Sequence, residues 1–310
     1  MEDDGEEMRQ QLVALLQEEQ RYVTVQVLGK GGMGCAFKVV RGSDRSRRAV
    51  KVSLTKDLQT ALEQEATVMR HLAHPNLVPI YNNGFLGDDR LPFLEMELLD
   101  TDLHSVIYGG RKLPPETCAK FLLQLCSGLI YMHTENGLIH RDVKPANIFI
   151  SEQRLKLGDF GLTMEEHGPG ASEICGTPEY MPYEIWNGLE VASRRQDHWG
   201  CGCILFEMME QQLCFPEPPE ASTTPPQCAS RAWSANGHKL TTCYGLLLAQ
   251  TCDDECLGKV AVHLDDWQQF EPCTPAAFER ARRMNAAVSP EIRQGANQAR
   301  KARRVKACLG

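Results

Sequence analysis

Apolar positions along this chain change period several times, and each change marks an expected element. Residues 7–20 set Leu12, Leu15 and Leu16 among glutamates at helical spacing, which predicts a short amphipathic helix laid on whatever follows. From Tyr22 the period drops to two. Val23, Val25 and Val27 share one face, the run halts in Gly29-Lys30-Gly31-Gly32-Met33-Gly34, and it resumes as Ala36-Phe37-Lys38-Val39-Val40. A strand, a glycine turn and a second strand are expected. Arg48 to Val52 reads as a third strand behind the polar hairpin Gly42-Ser43-Asp44. A helix is expected over 57–72, where Leu58, Leu62, Ala66 and Met69 recur every three or four residues, ended by His74-Pro75-Asn76. Two more strands are expected at Leu77–Tyr81 and Leu91–Glu97, with 82–89 as the turn between them.

Beyond Thr101 the pattern turns helical. Pro114-Pro115-Glu116 opens a long helix with Phe121, Leu122, Leu125, Leu129 and Met132 on one side, ending near Asn136-Gly137. A β-sheet lobe followed by a helical lobe is the expected architecture. The longest apolar run, Cys201 to Met209, is broken by Gly202 and Glu207 and falls short of the ~20 residues of a bilayer-spanning helix, so no membrane span is expected. After Leu213 the Pro/Ser/Thr-rich PEPPEASTTPP reads as a linker.

Composition then bounds the class. Of 310 residues, 42% are apolar, 24% charged and 7% aromatic, values that exclude wholesale disorder or a fibre and allow a sizeable core. The net charge of −8 is uneven: residues 1–21 are acidic, whereas residues 280–310 hold nine Lys and Arg against Glu291 alone. The acidic total makes a nucleic-acid partner unexpected, and the basic end reads as a solvated tail or exposed helix, with docking as the alternative. Thirteen cysteines form no tight framework, which predicts reduced thiols, and the start MEDDGEEM is acidic where a secretory signal would be basic and then apolar. A cytoplasmic or nuclear setting is expected. Cys252 and Cys256 form one close pair without a second, with Cys243, Cys273, His238 and His263 scattered around them, so plain thiols are expected rather than zinc.

Candidate chemistry lies in three places. Leu28-Gly29-Lys30-Gly31-Gly32-Met33-Gly34 joins two strands, and glycines there let exposed amides approach phosphate oxygens. A strand follows, not the helix that a dinucleotide fingerprint requires. Ala49-Val50-Lys51 puts a lysine on the next strand, and the helix beyond presents Glu65 as the carboxylate to orient it. His140-Arg141-Asp142-Val143-Lys144-Pro145-Ala146-Asn147 is followed by Asp159-Phe160-Gly161. Phosphoryl transfer needs one carboxylate beside the attacking hydroxyl and further oxygen ligands for a divalent cation, and Asp142, Asn147 and Asp159 supply that set.

With these motifs in order from Tyr22 to Leu213, the chain resembles the eukaryotic protein kinase family. The resemblance implies a two-lobed α+β fold, an antiparallel β-sheet lobe with one helix over 22–99 and a mainly helical lobe over 100–213, with ATP between them. It implies that Gly29, Gly31 and Gly34 cover the ATP phosphates, that Lys51 pairs with Glu65, and that Asp142 is the catalytic base. Lys144 would neutralise the γ-phosphate, and Asn147 and Asp159 would bind Mg²⁺. The adenine pocket would be lined by Leu28, Ala36, Ala49, the gatekeeper Met96, the hinge Glu97 to Leu99, and Phe149. Met69, His140 and Phe160 match positions that stack in active kinases, and Asp197 matches the helical anchor of the catalytic loop. Lys144 together with Gly176-Thr177-Pro178-Glu179-Tyr180 is similar to serine/threonine kinases, which makes Ser/Thr-bearing proteins the expected substrates. HRDVKPANIFI and Lys156-Leu157-Gly158 look closer to the NimA-related group within a mixed pattern.

Several positions depart from the family. Ala36 replaces a usual valine, Phe149 a usual leucine, and Met181-Pro182-Tyr183-Glu184 stands where Ala-Pro-Glu is expected. Glu184 would pair with a late arginine, for which Arg280, Arg282 and Arg283 are the candidates. Ala146 offers no carboxylate to an arginine two residues before the target hydroxyl, so no strong preference for arginine is expected there. Glu173 falls where an activating phosphate is common and is expected to stand in for it beside Arg141, with Ser172 as the rival phosphosite. The resulting organisation is an acidic extension over 1–21, the catalytic domain over 22–213, a linker over 214–230 and an unassigned region over 231–310. A pseudokinase-like binding module is the alternative to an enzyme.

Overall fold

The computed structural model describes residues 2–31, 34–53 and 56–216. The expectations for Gly32 and Met33 and for the linker, the Cys/His cluster and the basic end beyond Pro216 lie outside the described residues.

The first half is a five-stranded antiparallel sheet in the order β1-β2-β3-β5-β4. Its strands are β1 (Tyr22–Gly31), β2 (Gly34–Arg41), β3 (Arg47–Val52), β4 (Ile80–Leu86) and β5 (Leu91–Glu97). Register sorts the side chains into two faces. Ala36 pairs with Lys51 and Lys51 with Leu94, so these share one face; Phe37 pairs with Val50 and Val50 with Glu95, so these share the other. The face bearing Lys51 looks toward α2 (Lys56–Met69), whose Leu62, Ala66 and Met69 are buried with Leu94.

The opposite face would be an exposed apolar surface, and the N-terminal helix α1 (Glu2–Glu18) covers it. Leu12 and Leu16 are fully buried among Phe37, Val39, Val50, Val52 and Phe93. At its end the Glu19 carboxylate accepts the Gly87 N–H at 3.1 and 3.2 Å, tying α1 to the β4–β5 turn.

Three sequence expectations need correction here. Val25 and Val27 keep their shared face, paired with Val39 and Phe37, but the register shift between Tyr22 and Thr24 takes Val23 out of the alternation, and Val23 and Val27 are 48% and 38% exposed. The fourth strand runs from Ile80 to Leu86 through Asn82-Asn83-Gly84. As an edge strand paired only with β5, it can turn polar residues to solvent. Leu77 and Val78 instead leave the sheet for Leu157, where the Val78 N–H donates to the Leu157 carbonyl at 2.9 Å. Finally α2 stops at Met69, its last turn tightened by His71 and Leu72 N–H groups donating to Val68 and Met69 carbonyls.

The second half is helical. After β6 (Thr101–Asp102) and α3 (Leu103–Tyr108), α4 (Pro115–Ile130) runs into a π-turn over Tyr131–Glu135 that ends near Gly137, whose φ is +66°. Phe121, Leu122, Leu125 and Leu129 of α4 share one core with Cys201, Ile204, Leu205 and Met208 of α6 (Arg194–Glu210). Nearly every residue from Gln196 to Met209 is buried, so α6 has no solvent face and shows none of the usual amphipathic stripe. Short pairs fill the space between lobes: β7 (Leu138–Ile139), β8 (Ile148–Ser151), β9 (Arg154–Leu157) and β10 (Met164–Glu165), followed by α5 (Tyr183–Trp186). No described helix is long and apolar enough to cross a membrane.

Candidate active site

The chain brings Lys51, Glu65 and Asp159 together from β3, α2 and the loop after β9. Lys51 Nζ lies 2.8 Å from Glu65 Oε2 and 2.9 Å from Asp159 Oδ1, while Glu65 Oε1 accepts the Phe160 N–H at 3.2 Å. Burial alone would lower the Lys51 pKa, but the two carboxylates outweigh it and hold the ammonium at about 12. Glu65 is pushed up by burial against the pull of Lys51, and Asp159 is held down chiefly by Lys51 against its own burial. One cation thus serves two carboxylates.

The 140–147 loop is held from beneath by Asp197 at the start of α6. Its fully buried carboxylate accepts the His140 N–H and the Arg141 N–H, both at 2.8 Å, and lies 2.8 Å from His133 Nε2. Burial opposes that charge, yet the His133 bond keeps its pKa depressed. The close seat needs Gly200, where a Cβ would stand 2.7 Å from the Val143 carbonyl oxygen. His140 Nε2 meets the Gly158 carbonyl at 3.1 Å and its ring contacts Phe160 edge-on at 5.4 Å; Phe160 and Met69 are both buried.

At the loop's outer end Asp142 is surrounded. Its Oδ1 accepts the Thr177 hydroxyl at 2.7 Å; its Oδ2 accepts from Asn147 Nδ2 and lies beside Lys144 Nζ, each at 2.9 Å. Lys144 also donates to Thr177 Oγ1 at 2.6 Å. Asn147 Nδ2 is further committed to the Asp142 carbonyl at 2.9 Å, which leaves Asn147 Oδ1 and the second Asp159 oxygen as acceptors disengaged among the described residues. Two oxygen donors of this kind fit a hard cation such as Mg²⁺.

The remaining expected residues line the cleft side of the sheet. Leu28 is half exposed on β1, and Gly29 lies beside it; Gly31 pairs with Gly34 to close the hairpin. The Lys30 side chain lies outside the described ones. Ala36 and Ala49 are on the Lys51 face, and Met96 pairs with Ala49 and with Ile80. Glu97 binds Lys156 Nζ at 2.5 Å, Leu99 packs partly buried on the core, and Phe149 sits on β8 opposite Asp102. Gly158 makes room for that ring: a Cβ there would fall 3.1 Å from Phe149 Cε2.

One expectation is not met, and a second falls outside the described residues. Arg141 is engaged by backbone, donating from Nε to the Leu162 carbonyl at 2.7 Å and from Nη1 to that of Gly170 at 3.5 Å. Glu173 is exposed, folded against Gly170, and makes no ion pair with Arg141. Two backbone carbonyls thus hold the Arg141 side chain here, and Glu173 takes no part. Glu184 has no ion-pair partner among the described residues, and its candidate arginines lie outside them.

In sequence Thr177 is only part of a family signature; that it bridges Asp142 and Lys144 emerges from the fold, since 33 residues separate it from Lys144. Gln196 binds the Arg141 and Cys175 carbonyls, and the buried Glu207 carboxylate accepts the Tyr180 and Tyr108 hydroxyls at 2.6 and 2.8 Å; nothing in the local sequence marks either arrangement.

Comparison with known proteins agrees with this geometry. A family model described as Protein kinase domain matches residues 22–238, extending past Leu213. The mouse serine/threonine-protein kinase Nek3 is 34% identical over 195 residues, covering 60% of this chain and 37% of Nek3. The tobacco mitogen-activated protein kinase homolog NTF3 is 29% identical over 66% of this chain and 57% of its own. Aurora/IPL1-related protein kinase 2 of Caenorhabditis elegans is 29% identical over 63% of this chain and 65% of its own. The chain therefore spans less than two thirds of the length of each of these relatives.

Proposed function

Because this chain belongs to the protein kinase domain family, matched over residues 22–238, we propose that it transfers the γ-phosphoryl group of ATP to serine or threonine hydroxyls of protein substrates. The observation that carries this reading is the setting of Asp142, which already accepts a threonine hydroxyl at 2.7 Å with the Lys144 ammonium 2.9 Å away. A substrate hydroxyl approaching the same carboxylate would give up its proton to Asp142, while Lys144 offsets negative charge on the phosphoryl oxygens. Lys51, oriented by Glu65, grips the α- and β-phosphates, and the β1–β2 hairpin covers them with backbone amides.

Asn147 and Asp159 are the residues to hold Mg²⁺, which when bound neutralises phosphate charge and fixes the chain of phosphates in line. The adenine would lie among Leu28, Ala36, Ala49, Met96, Leu99 and Phe149, with backbone of 97–99 as its polar edge. The serine/threonine assignment is supported by Lys144, by Thr177 and by the names of the relatives. A cytoplasmic or nuclear site of action belongs to the same reading and is supported by the cysteine usage.

The test is transfer of labelled γ-phosphate from Mg·ATP to a generic protein substrate, wild type against Asp142→Asn. Label on Ser and Thr that falls by at least ~100-fold in the variant supports the reading. Equal signals would refute it and leave a binding module.

A further inference from the structure

Gln196 precedes Asp197 on α6 and is 3% exposed. Its amide nitrogen donates to two carbonyls at once, Arg141 at 2.9 Å and Cys175 at 3.2 Å. Two acceptors fix the orientation of the amide, since the reverse assignment would set oxygen against oxygen. Its Oε1 is then buried without a hydrogen-bond partner among the described residues. That burial opposes folding, so filling space does not account for an amide here.

What the nitrogen joins does. Arg141 immediately precedes Asp142, and its N–H is held by Asp197 Oδ1 at 2.8 Å. Successive side chains of α6 therefore fix both backbone polar groups of the residue before Asp142. The other carbonyl belongs to Cys175, two residues before Thr177. Gly176 between them has φ +117°, and a Cβ there would stand 2.5 Å from the Arg141 oxygen and 3.3 Å from Gln196 Nε2. The segment bearing Thr177 thus reaches the 140–147 loop only because position 176 lacks a side chain, and it is fastened there by Gln196.

We propose that Gln196 is a positioning residue for phosphoryl transfer: it clamps the Cys175–Thr177 segment to the Arg141 carbonyl and so sets the Thr177 hydroxyl on Asp142. The catalytic half of this inference rests on the phosphotransferase reading above; the clamp itself does not.

Two near-isosteric variants test it. Gln196→Met removes both donors, and Gln196→Glu sets an acceptor against two carbonyls. Gly176→Ala attacks the same tie from the other side, with the sequence of α6 unchanged. Amide hydrogen exchange over residues 170–178 should rise about tenfold in all three, as expected for two lost hydrogen bonds, with exchange in β3 and α2 unchanged. The kcat on a protein substrate should fall about tenfold, more in Gln196→Glu than in Gln196→Met, while the thermal shift produced by Mg·ATP is kept. Unchanged exchange over 170–178, or a rise spread evenly through the molecule, would overturn the clamp. Increased local exchange with kcat unchanged would overturn its catalytic role. A wild type that transfers no phosphate would sink the phosphotransferase reading alone, because the exchange measurement still decides whether Gln196 holds the segment.

Discussion

Lys51 and Asp159 lie 108 residues apart in the chain and meet at 2.9 Å, with the same ammonium 2.8 Å from Glu65. The sheet lobe and the loop after β9 are thereby joined through one charge. Replacing it by Lys51→Met should leave the buried Glu65 carboxylate and the partly exposed Asp159 carboxylate without their shared cation. Solvent at Asp159 places the cost toward the lower end of the roughly 3–5 kcal/mol that a fully buried pair loses with one partner. Urea unfolding should show a loss of that size, and Mg·ATP should no longer shift the melting temperature. A variant as stable as wild type would show that the ion pair carries no net energy.

A second expectation concerns α1. Leu12 and Leu16 are fully buried on the sheet face opposite the cleft, against Phe37, Val50 and Val52. Leu12→Ala or Leu16→Ala should each destabilise by about 2–5 kcal/mol, as large-to-small core changes do. The Lys51–Glu65 pair lies on the other face, so the Mg·ATP thermal shift should survive. Were the two variants as stable as the parent, α1 would be an appendage and not part of the core.

The fold was legible where periodicity and chemistry coincide. Leu12 and Leu16 announced α1, the alternation through Phe37 and Val39 announced β2, and Asp142, Asn147 and Asp159 were spaced as one site. Legibility failed where tertiary partners override local pattern. Asn82-Asn83-Gly84 looks like a turn but is strand because β5 supplies a partner on one side. Glu173 stood at the right sequence distance from Arg141, yet the carbonyls of Leu162 and Gly170 satisfy that guanidinium first. Gln196 carries no sequence signal because what matters is which two carbonyls converge on it, and those come from Arg141 and Cys175.

Acid should act through His74. Its Nδ1 accepts the Asn76 N–H at 3.1 Å, Ser127 Oγ lies 3.3 Å from Nε2, and the ring stacks on Tyr131 at 5.1 Å. Burial, reinforced by the Lys156 charge, pulls its pKa from 6.5 down to about 4. The unfolded chain takes up the proton first. The stabilising contribution is therefore complete above pH 6.5 and is lost as pH falls toward about 4, by at most about 3 kcal/mol before allowance for the ring's partial exposure. His74→Phe keeps the stacked ring but cannot titrate, so its unfolding free energy should fall less steeply over that window. Parallel pH profiles for the two proteins would exclude His74 as the group responsible.

Thr177 offers the sharpest separation between holding a shape and assisting chemistry. Its hydroxyl donates to Asp142 Oδ1 at 2.7 Å and accepts from Lys144 at 2.6 Å, so one oxygen bridges a carboxylate and an ammonium that also touch directly at 2.9 Å. Thr177→Ala should strip Asp142 Oδ1 of its fixed donor and Lys144 of one of its two contacts, so both groups would lose the orientation in which they meet a substrate hydroxyl. The kcat should drop by roughly 10- to 100-fold, the range of one misplaced proton-transfer group, with the KM for ATP unchanged because Lys51, Glu65 and Asp159 are untouched. Thr177→Ser restores the oxygen without the methyl group and should recover most of the rate. Failure of the serine variant to recover, despite a normal melting temperature, would mean that the methyl contact and not the hydroxyl bridge is what this position supplies.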